Sequence, residues 1–215
     1  MTGADLERLF YSDFPRELVR KVLQNVYLAH QVAWDECHSR FARTEAENLL
    51  GYERRGKLEG YLRDAAGLFP GVEARVVRSE GSNWNHTELS SGLFVLTENS
   101  VQTPCALVRE SGFRKTLAQS NQLSMLPDAP VPTDARYFAQ LLHSRYRTLD
   151  PDEQRKHGYL PGSAYIAFPG RDLDSYLHSI NLVTEFPDVV QAHMPEEWDS
   201  EAQLRYVRQA RRMTA

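Results

Sequence analysis

His86 and Glu88 stand two positions apart and are the residues of this sequence most typical of a catalytic pair. On a β-strand, side chains two positions apart point to the same face, which would place the imidazole beside the carboxylate. Such a pair can hold a metal ion or act as a base and its orienting group. Two ligands are too few for a stable metal site, and a surface pair has the same pattern. If the protein is an enzyme, we predict His86 and Glu88 as its catalytic residues, with no metal; a structural pair explains the pattern equally well.

Amide and basic side chains near this pair predict a binding surface around it. The predicted binding residues are Asn83, Asn85, Arg109, Arg114 and Lys115. Together with the histidine they would suit a phosphate, a nucleotide, RNA or an acidic protein partner. A solvated helix face explains the same charges, so this alternative stays open.

A metal-dependent nuclease of the restriction-enzyme type is a second hypothesis for these carboxylates. It requires an acid on a helix, an acid on a strand and an acid-x-lysine on the next strand. Glu47 or Glu59 could supply the first, and Glu88 or Glu98 the others. The two residues after Glu98 are asparagine and serine, so the lysine is missing. Because that lysine would position water and offset developing charge, its absence argues against this chemistry.

A run of arginines at near-helical spacing marks the C-terminus: Arg205, Arg208, Arg211 and Arg212. On a helix these would cover one side and could grip acidic groups of a partner. Helix solubility and favourable charge near a helix C-terminus explain the same run.

Length and composition indicate an ordinary globular protein. The chain has 215 residues, a net charge of −4, 41% hydrophobic residues and 25% charged residues. This balance predicts no general attraction to nucleic acid or anionic lipid. Two cysteines, Cys37 and Cys105, fit a reducing compartment. With no secretory signal and no apolar run long enough to span a membrane, we predict a cytoplasmic protein.

Common catalytic and nucleotide-binding signatures are absent from the sequence. It contains no Walker A loop, no GxGxxG, HExxH, GxSxG or CxxC motif and no EF-hand loop. No particular cofactor is therefore indicated.

Hydrophobic periodicity predicts the elements that must position these residues. The spacing of apolar residues predicts amphipathic helices from Pro15, capped by Asp13, and over 44–66, where three glycines weaken or break the second helix. Alternation predicts a strand over 72–78 beside a β-hairpin from His86 to Asn99, with a three-residue loop ending at Gly92.

The second half of the chain is predicted to mix helices and strands. The expected segments are a short helix late in 101–122, a loop over 126–134, a strand over 163–168, a long loop over 147–160, a helix from Asp172 to before Pro187, and a helix from Ser200. The pattern of 137–143 fits a helix as well as a strand, and we favour a strand paired antiparallel with 163–168.

These elements predict the α+β class. Two N-terminal helices would pack on a mostly antiparallel sheet of four to five strands, with two further helices toward the C-terminus. The chain would divide into a helical region, 1–70, and an α+β region, 71–215, within one compact domain. A doubly wound parallel sheet is not expected, because helices and strands do not alternate.

The second half of the chain resembles a broad group of uncharacterised bacterial proteins. The resemblance rests on LVRESGFRKTLAQSNQ (107–122) and FPGRDLDSYLHSINLVTEFPDVV (168–190). Proteins of this group look like members of small mobile gene modules, which implies a toxin–antitoxin, phage or defence setting. The resemblance implies no particular catalytic residue.

We predict an interaction protein that binds a macromolecular partner in a bacterial or phage regulatory or defence-type system. The absence of a complete catalytic constellation favours this function, with a protein as the first expected partner, nucleic acid as the second, and no membrane. The alternative is a toxin-like enzyme acting on nucleic acid or nucleotide at the segment 83–100. An enzyme would gather its groups in one cleft, whereas a binding protein would present an exposed patch.

Overall fold

A computed structural model describes residues 2–78, 85–104, 106–123 and 136–211 of the chain. The helices in these ranges are α1 (Gly3–Asp13), α2 (Arg16–Arg40), α3 (Arg43–Ala66), α4 (Gly112–Leu123), α5 (Pro151–His157), α6 (Leu182–Glu185), α7 (Pro187–Ala192) and α8 (Ser200–Arg211). The strands are β1 (Glu73–Arg78), β2 (Asn85–Ser91), β3 (Phe94–Val101), β4 (Tyr137–Arg145), β5 (Pro161–Pro169) and β6 (Tyr176–Asn181). The predicted loop over 126–134 lies outside the described residues.

The strands form one mixed sheet in the order β1-β2-β3-β4-β5-β6. All neighbouring pairs are antiparallel except β3 and β4, which run parallel. The connection between these two strands carries α4, as a parallel crossover requires. The predicted α+β class and the predominance of antiparallel pairing are confirmed, whereas the predicted number of strands is one or two too low.

The sixth strand occupies a segment that we predicted to be helical. After β5, a turn closes with a hydrogen bond from the Gly170 amide to the Ser175 carbonyl, and Leu173 adopts a positive φ of 59°. Strand β6 follows, with Ile180 opposite Ile166 of β5. The apolar residues Tyr176 and Ile180 are four positions apart, a spacing that shares one face on a helix and also on a strand. The prediction was wrong because pairing with β5, which is not local in sequence, selects the strand.

The first helix, α1, was not predicted, because only Leu6 and Phe10 within it are buried. Thr2 begins it with a capping box in which Asp5 bonds back to the Thr2 amide. The predicted capping role of Asp13 is wrong, since Pro15 precedes the first residue of α2.

The segment 147–160 is more ordered than the predicted long loop. It contains α5, which Asp150 caps by accepting hydrogen bonds from the Asp152 and Glu153 amides. The short helix returns to the core through the buried His157. Helix α3 is also unbroken through its three glycines, because tertiary packing of its buried face outweighs their low propensity.

Most of the helices cover one face of the sheet, and α4 covers the other. The larger core lies on the first face and joins side chains of α1, α2, α3, α6, α7 and α8 with alternate residues of the strands. Under α4, Ala118 packs with Phe138 and Leu173 in a smaller cluster. Because successive side chains of a strand point to opposite faces, the polar side chains of the strands face either the larger core or the layer under α4. None of the described helices combines the length and hydropathy that a bilayer crossing requires.

The hairpin between β2 and β3 has a two-residue loop, Gly92–Leu93, which is shorter than predicted. Gly92 has a positive φ of 49°, as the first position of a type II′ turn demands. Next to it, the Asp13 carboxylate accepts a hydrogen bond of 2.7 Å from the Leu93 amide, so α1 anchors the hairpin.

Replacing Gly92 by alanine should therefore destabilise the fold. The new Cβ would meet the Asp13 carboxylate, and the left-handed backbone would be strained. We expect a loss of roughly 1–3 kcal/mol in the free energy of unfolding, measured by urea denaturation. Gly51→Ala is the control, since a Cβ there meets no other atom within 4 Å and alanine favours a helix. Equal stabilities of the two variants would contradict the prediction.

Candidate functional site

The predicted catalytic pair lies on β2, beneath α4. His86 Nε2 and Glu88 Oε1 are 3.2 Å apart, and both side chains are buried. The other carboxylate oxygen of Glu88 accepts hydrogen bonds of 2.8 and 3.1 Å from Arg75. Hydrogen bonds from His86 and Arg75 hold the pKa of the Glu88 carboxyl below its ordinary value. The imidazole stacks on Phe113 at 4.0 Å between ring centroids. His86 and Glu88 are therefore both in contact with other side chains of the fold.

The predicted basic residues are only partly brought to this pair. Arg114 lies over the ring of Phe113, at 4.9 Å from its centroid, and donates a hydrogen bond to the Arg109 carbonyl. Lys115 forms an exposed ion pair with Glu110 at 2.6 Å. Arg114 and His86 therefore contact the same aromatic ring, that of Phe113, whereas Lys115 pairs with Glu110 at the surface.

Of the two predicted asparagines, the structure describes only Asn85. Asn83 lies outside the described residues. Asn85 begins β2 with an exposed side chain, and its carbonyl accepts a hydrogen bond of 3.1 Å from Arg55.

A polar row crosses the sheet under α4, beside the predicted pair. In the strand register, Glu88 is opposite Thr97, and Thr97 is next to Gln140 of β4. Gln140 is 1% exposed, and neither of its amide atoms has a hydrogen-bond partner in the described part of the chain. The Oδ1 atom of the nearby Asn99 also has no hydrogen-bond partner among the described residues. Buried polar groups are normally hydrogen-bonded, so these amide atoms are exceptions within the described part of the layer.

A second polar group lies on the opposite face of the sheet and was not predicted. Glu98 Oε1 on β3 accepts a hydrogen bond of 2.7 Å from His143 Nε2 on β4. The other ring nitrogen of His143 is 2.9 Å from His30 Nε2 on α2. All three side chains are buried. With Nε2 of His143 donating, a neutral His143 accepts at Nδ1 from His30. This Glu98–His143–His30 chain joins the long helix to the middle of the sheet.

The carboxylates of the nuclease hypothesis do not converge on one point. Arg55 lies between two of them, 2.9 Å from Glu59 and 3.9 Å from Glu98. Glu47 is paired with Arg145 at 2.7 Å, and Glu88 faces α4 on the other side of the sheet. Across the described ranges, no group of three or more histidine, cysteine, aspartate or glutamate side chains could hold a metal ion.

The histidine chain predicts a pH dependence of stability. Burial lowers the pKa of His30 well below its ordinary value, whereas an unfolded histidine titrates near pH 6.5. Below that pH the unfolded state binds more protons than the folded state, so stability falls as pH falls. We expect a loss of up to about 1.4 kcal/mol per pH unit from this group, measured by urea unfolding from pH 7.5 to about 5.5. His30→Gln should show a shallower slope, and parallel slopes would contradict the assignment.

The third candidate site is an open cleft between α8 and the chain segments that follow β3 and β4. It has a volume of about 770 Å³ and is lined by Arg147, Arg205, Arg208, Pro104 and Leu149, among others. We call it the arginine cleft. All three arginines are exposed, and none of them forms an ion pair with a carboxylate of the described chain. Leu149 at its edge is fully exposed.

The arginine cleft contains part of the predicted C-terminal run and one residue that was not singled out. Arg205 and Arg208 are on α8, one turn apart, as predicted. Arg147 lies in the segment 147–160, which the sequence predicts to be a long loop, and it was not a predicted site residue. The side chain of Arg211 and the whole of Arg212 are outside the described part of the structure. A long polar segment between two strands was the only pattern that could have drawn attention to Arg147.

Comparison of the chain with protein-family models, with curated proteins and with solved structures finds no significant match.

Proposed function

We propose that this protein is an interaction protein that binds an anionic macromolecular partner through the arginine cleft. The observation that carries the proposal is the convergence of three exposed arginines, none paired with a described carboxylate, on one open cleft. Exposed guanidinium groups bind carboxylates and phosphates strongly because each can donate two parallel hydrogen bonds. In a chain with a net charge of −4, such a concentration of positive charge is local.

The arrangement of the other titratable residues supports binding over catalysis. Glu88, Glu98 and His143 are each held by hydrogen bonds within the fold. A general base needs access to the proton that it removes, and these buried groups serve first to join secondary-structure elements. The arginine cleft, by contrast, is open to a large partner.

The proposal extends to the biological setting that the sequence resemblance implies. The partner would belong to a bacterial or phage regulatory or defence-type system, and a protein encoded with this chain is the first candidate. Only the similarity of residues 107–122 and 168–190 to proteins of mobile gene modules supports this extension.

Reversing the charge of the cleft should abolish binding to a polyanion. We expect wild-type protein to bind fluorescent heparin, used as a generic polyanion, and Arg205→Glu/Arg208→Glu to bind at least about tenfold more weakly. The arginines are exposed, so the double variant and the single variants Arg205→Glu and Arg208→Glu should keep the wild-type circular dichroism spectrum. Fluorescence anisotropy at low salt measures the dissociation constants.

Arg8→Glu is the matched control for each single reversal, Arg205→Glu and Arg208→Glu. Arg8 lies on α1, away from α8, and its side chain is 78% exposed. It changes the total charge by the same amount, so it separates a local site from a general charge effect. The proposal would be overturned if Arg8→Glu weakened heparin binding as much as the single cleft reversals do. It would also be overturned if none of the three single substitutions changed heparin binding.

A second candidate function is a toxin-like enzyme that acts on nucleic acid or nucleotide at the segment 83–100. The buried amide of Gln140, which has no partner among the described residues, lies in the same row as Glu88 and favours it. Hydrogen-bonding atoms of a ligand would satisfy that amide. His86 would then act as the general base, with Glu88 as its orienting group.

Inducible expression in a bacterial host separates the two candidates. An enzyme should arrest growth and the synthesis of RNA, DNA or protein, and His86→Gln/Glu88→Gln should remove the arrest. Glutamine is chosen at both sites because the side chains are buried and the variant must stay folded, as checked by circular dichroism. Absence of arrest, or arrest by the folded double variant, would exclude the hairpin as a toxic catalytic site.

A further inference from the structure

The arginine cleft combines positive charge with apolar side chains. Leu149 at its edge is fully exposed, and Pro104 adds a second apolar surface to the lining. Single exposed leucines are common on proteins. Arginine is enriched in the contact regions between proteins, and an apolar side chain beside it can be removed from water by a partner.

This composition disfavours nucleic acid as the partner. No aromatic side chain is among the described residues that line the cleft, so unpaired bases would have no ring on which to stack. Contacts to a phosphodiester backbone use charged and polar groups, and an exposed leucine adds nothing to them. The three arginines alone would suit either class of partner, but Leu149 favours a protein.

The positions of the arginines suit a short peptide. Arg205 and Arg208 are three positions apart on α8, so their side chains are neighbours on one helix face. Arg147 approaches from the segment after β4, across the cleft. In an extended peptide, alternate side chains lie on the same side, about 7 Å apart. Two acidic residues at such positions would each meet a guanidinium group, and an apolar residue at the next alternate position would lie on the same side, toward Leu149.

We infer that the partner binds in the arginine cleft through an acidic peptide segment that carries an apolar anchor residue. The ground for this class of ligand is that Arg147, Arg205 and Arg208 line one cleft together with Leu149. The inference rests on the proposed function and specifies its partner as a protein. Carboxylates of the segment accept paired hydrogen bonds from the arginines, and its apolar side chain is removed from water against the leucine.

The test compares three fluorescent probes of equal length by anisotropy: a peptide with two glutamates and a leucine at successive alternate positions, the same peptide with serine in place of leucine, and a single-stranded oligonucleotide. We expect the glutamate–leucine peptide to bind the wild-type protein about tenfold more tightly than the serine peptide. Leu149→Ser should remove that preference while leaving the serine peptide unaffected. Arg205→Glu/Arg208→Glu should weaken both peptides.

The outcomes separate the inference from the proposed function. Tighter binding of the oligonucleotide than of either peptide, weakened by the arginine reversals, would overturn the peptide inference and leave the proposed function intact. Equal binding of the two peptides, or a preference that survives Leu149→Ser, would also overturn the inference. If the arginine reversals weaken none of the probes, both the inference and the proposed function fail.

Discussion

Glu98→Ala should destabilise the protein by about 3 kcal/mol. The substitution removes the acceptor of the 2.7 Å hydrogen bond from His143 and leaves a polar N–H in a site from which water is excluded. It also leaves a space at the centre of the sheet, because the Glu98 side chain is 2% exposed. His30 would lose its fixed partner in turn, since His143 connects it to the carboxylate.

Two variants distinguish the lost hydrogen bond from a general effect of removing charge. Glu98→Gln keeps an oxygen that can accept from His143, so we expect a loss of only about 1 kcal/mol. Glu59→Ala removes the neighbouring carboxylate that pairs with Arg55 near the surface, and should cost about 1 kcal/mol or less. Urea denaturation at pH 7.5 measures all three. A Glu98→Ala protein as stable as Glu59→Ala would refute a structural role for the histidine chain.

Phe10→Ala should destabilise the protein by about 3–5 kcal/mol. Phe10 is completely buried and is the centre of an aromatic cluster that joins α1 to the sheet. Its ring stacks on Phe14 at 5.0 Å and meets Phe94 and Phe168 edge to face at 5.4 and 5.5 Å. Alanine would remove these contacts and leave a cavity that the surrounding strands cannot close.

The matched control is Phe41→Ala, the same chemical change at a side chain that is 44% exposed. Here we expect a change of about 1 kcal/mol or less, because little apolar area is lost from the interior. Urea denaturation of both variants gives the comparison. A similar loss in the two proteins would show that α1 packs against the sheet less tightly than the structure indicates. Loss of α1 packing would be visible as increased amide exchange in residues 3–13.

Much of the fold could be predicted from periodicity, and the failures share a physical cause. Helices α2 and α8, strand β5 and the hairpin all have clear local patterns, and the structure confirms them. The pattern of α3 is interrupted by three glycines and that of β4 also fits a helix, and the structure shows an unbroken helix and a strand. The segment that forms β6 has a pattern compatible with both helix and strand. Only its pairing with β5 at the edge of the sheet selects the strand. Helix α1 has two buried residues in eleven, too few to produce a clear apolar stripe.

The candidate sites were less predictable than the fold. The contact between His86 and Glu88 followed from strand alternation, but the pairing of Glu88 with Arg75 required β1 to lie alongside. His30 and His143 are 113 positions apart in sequence, and no local pattern connects them. The arginine cleft likewise joins Arg147 to α8 across a large sequence separation.

The sequence by itself determined the α+β class, the main helices, the hairpin and the positive character of the C-terminal helix, because each depends on spacing within one short segment. Tertiary structure alone decided that Glu98 and Glu88 face opposite layers of the sheet with different partners, and that Arg147 lines the same cleft as Arg205 and Arg208. These arrangements depend on which strands are neighbours and on where a connecting segment returns. Both are set by burial and hydrogen bonding between residues distant in sequence.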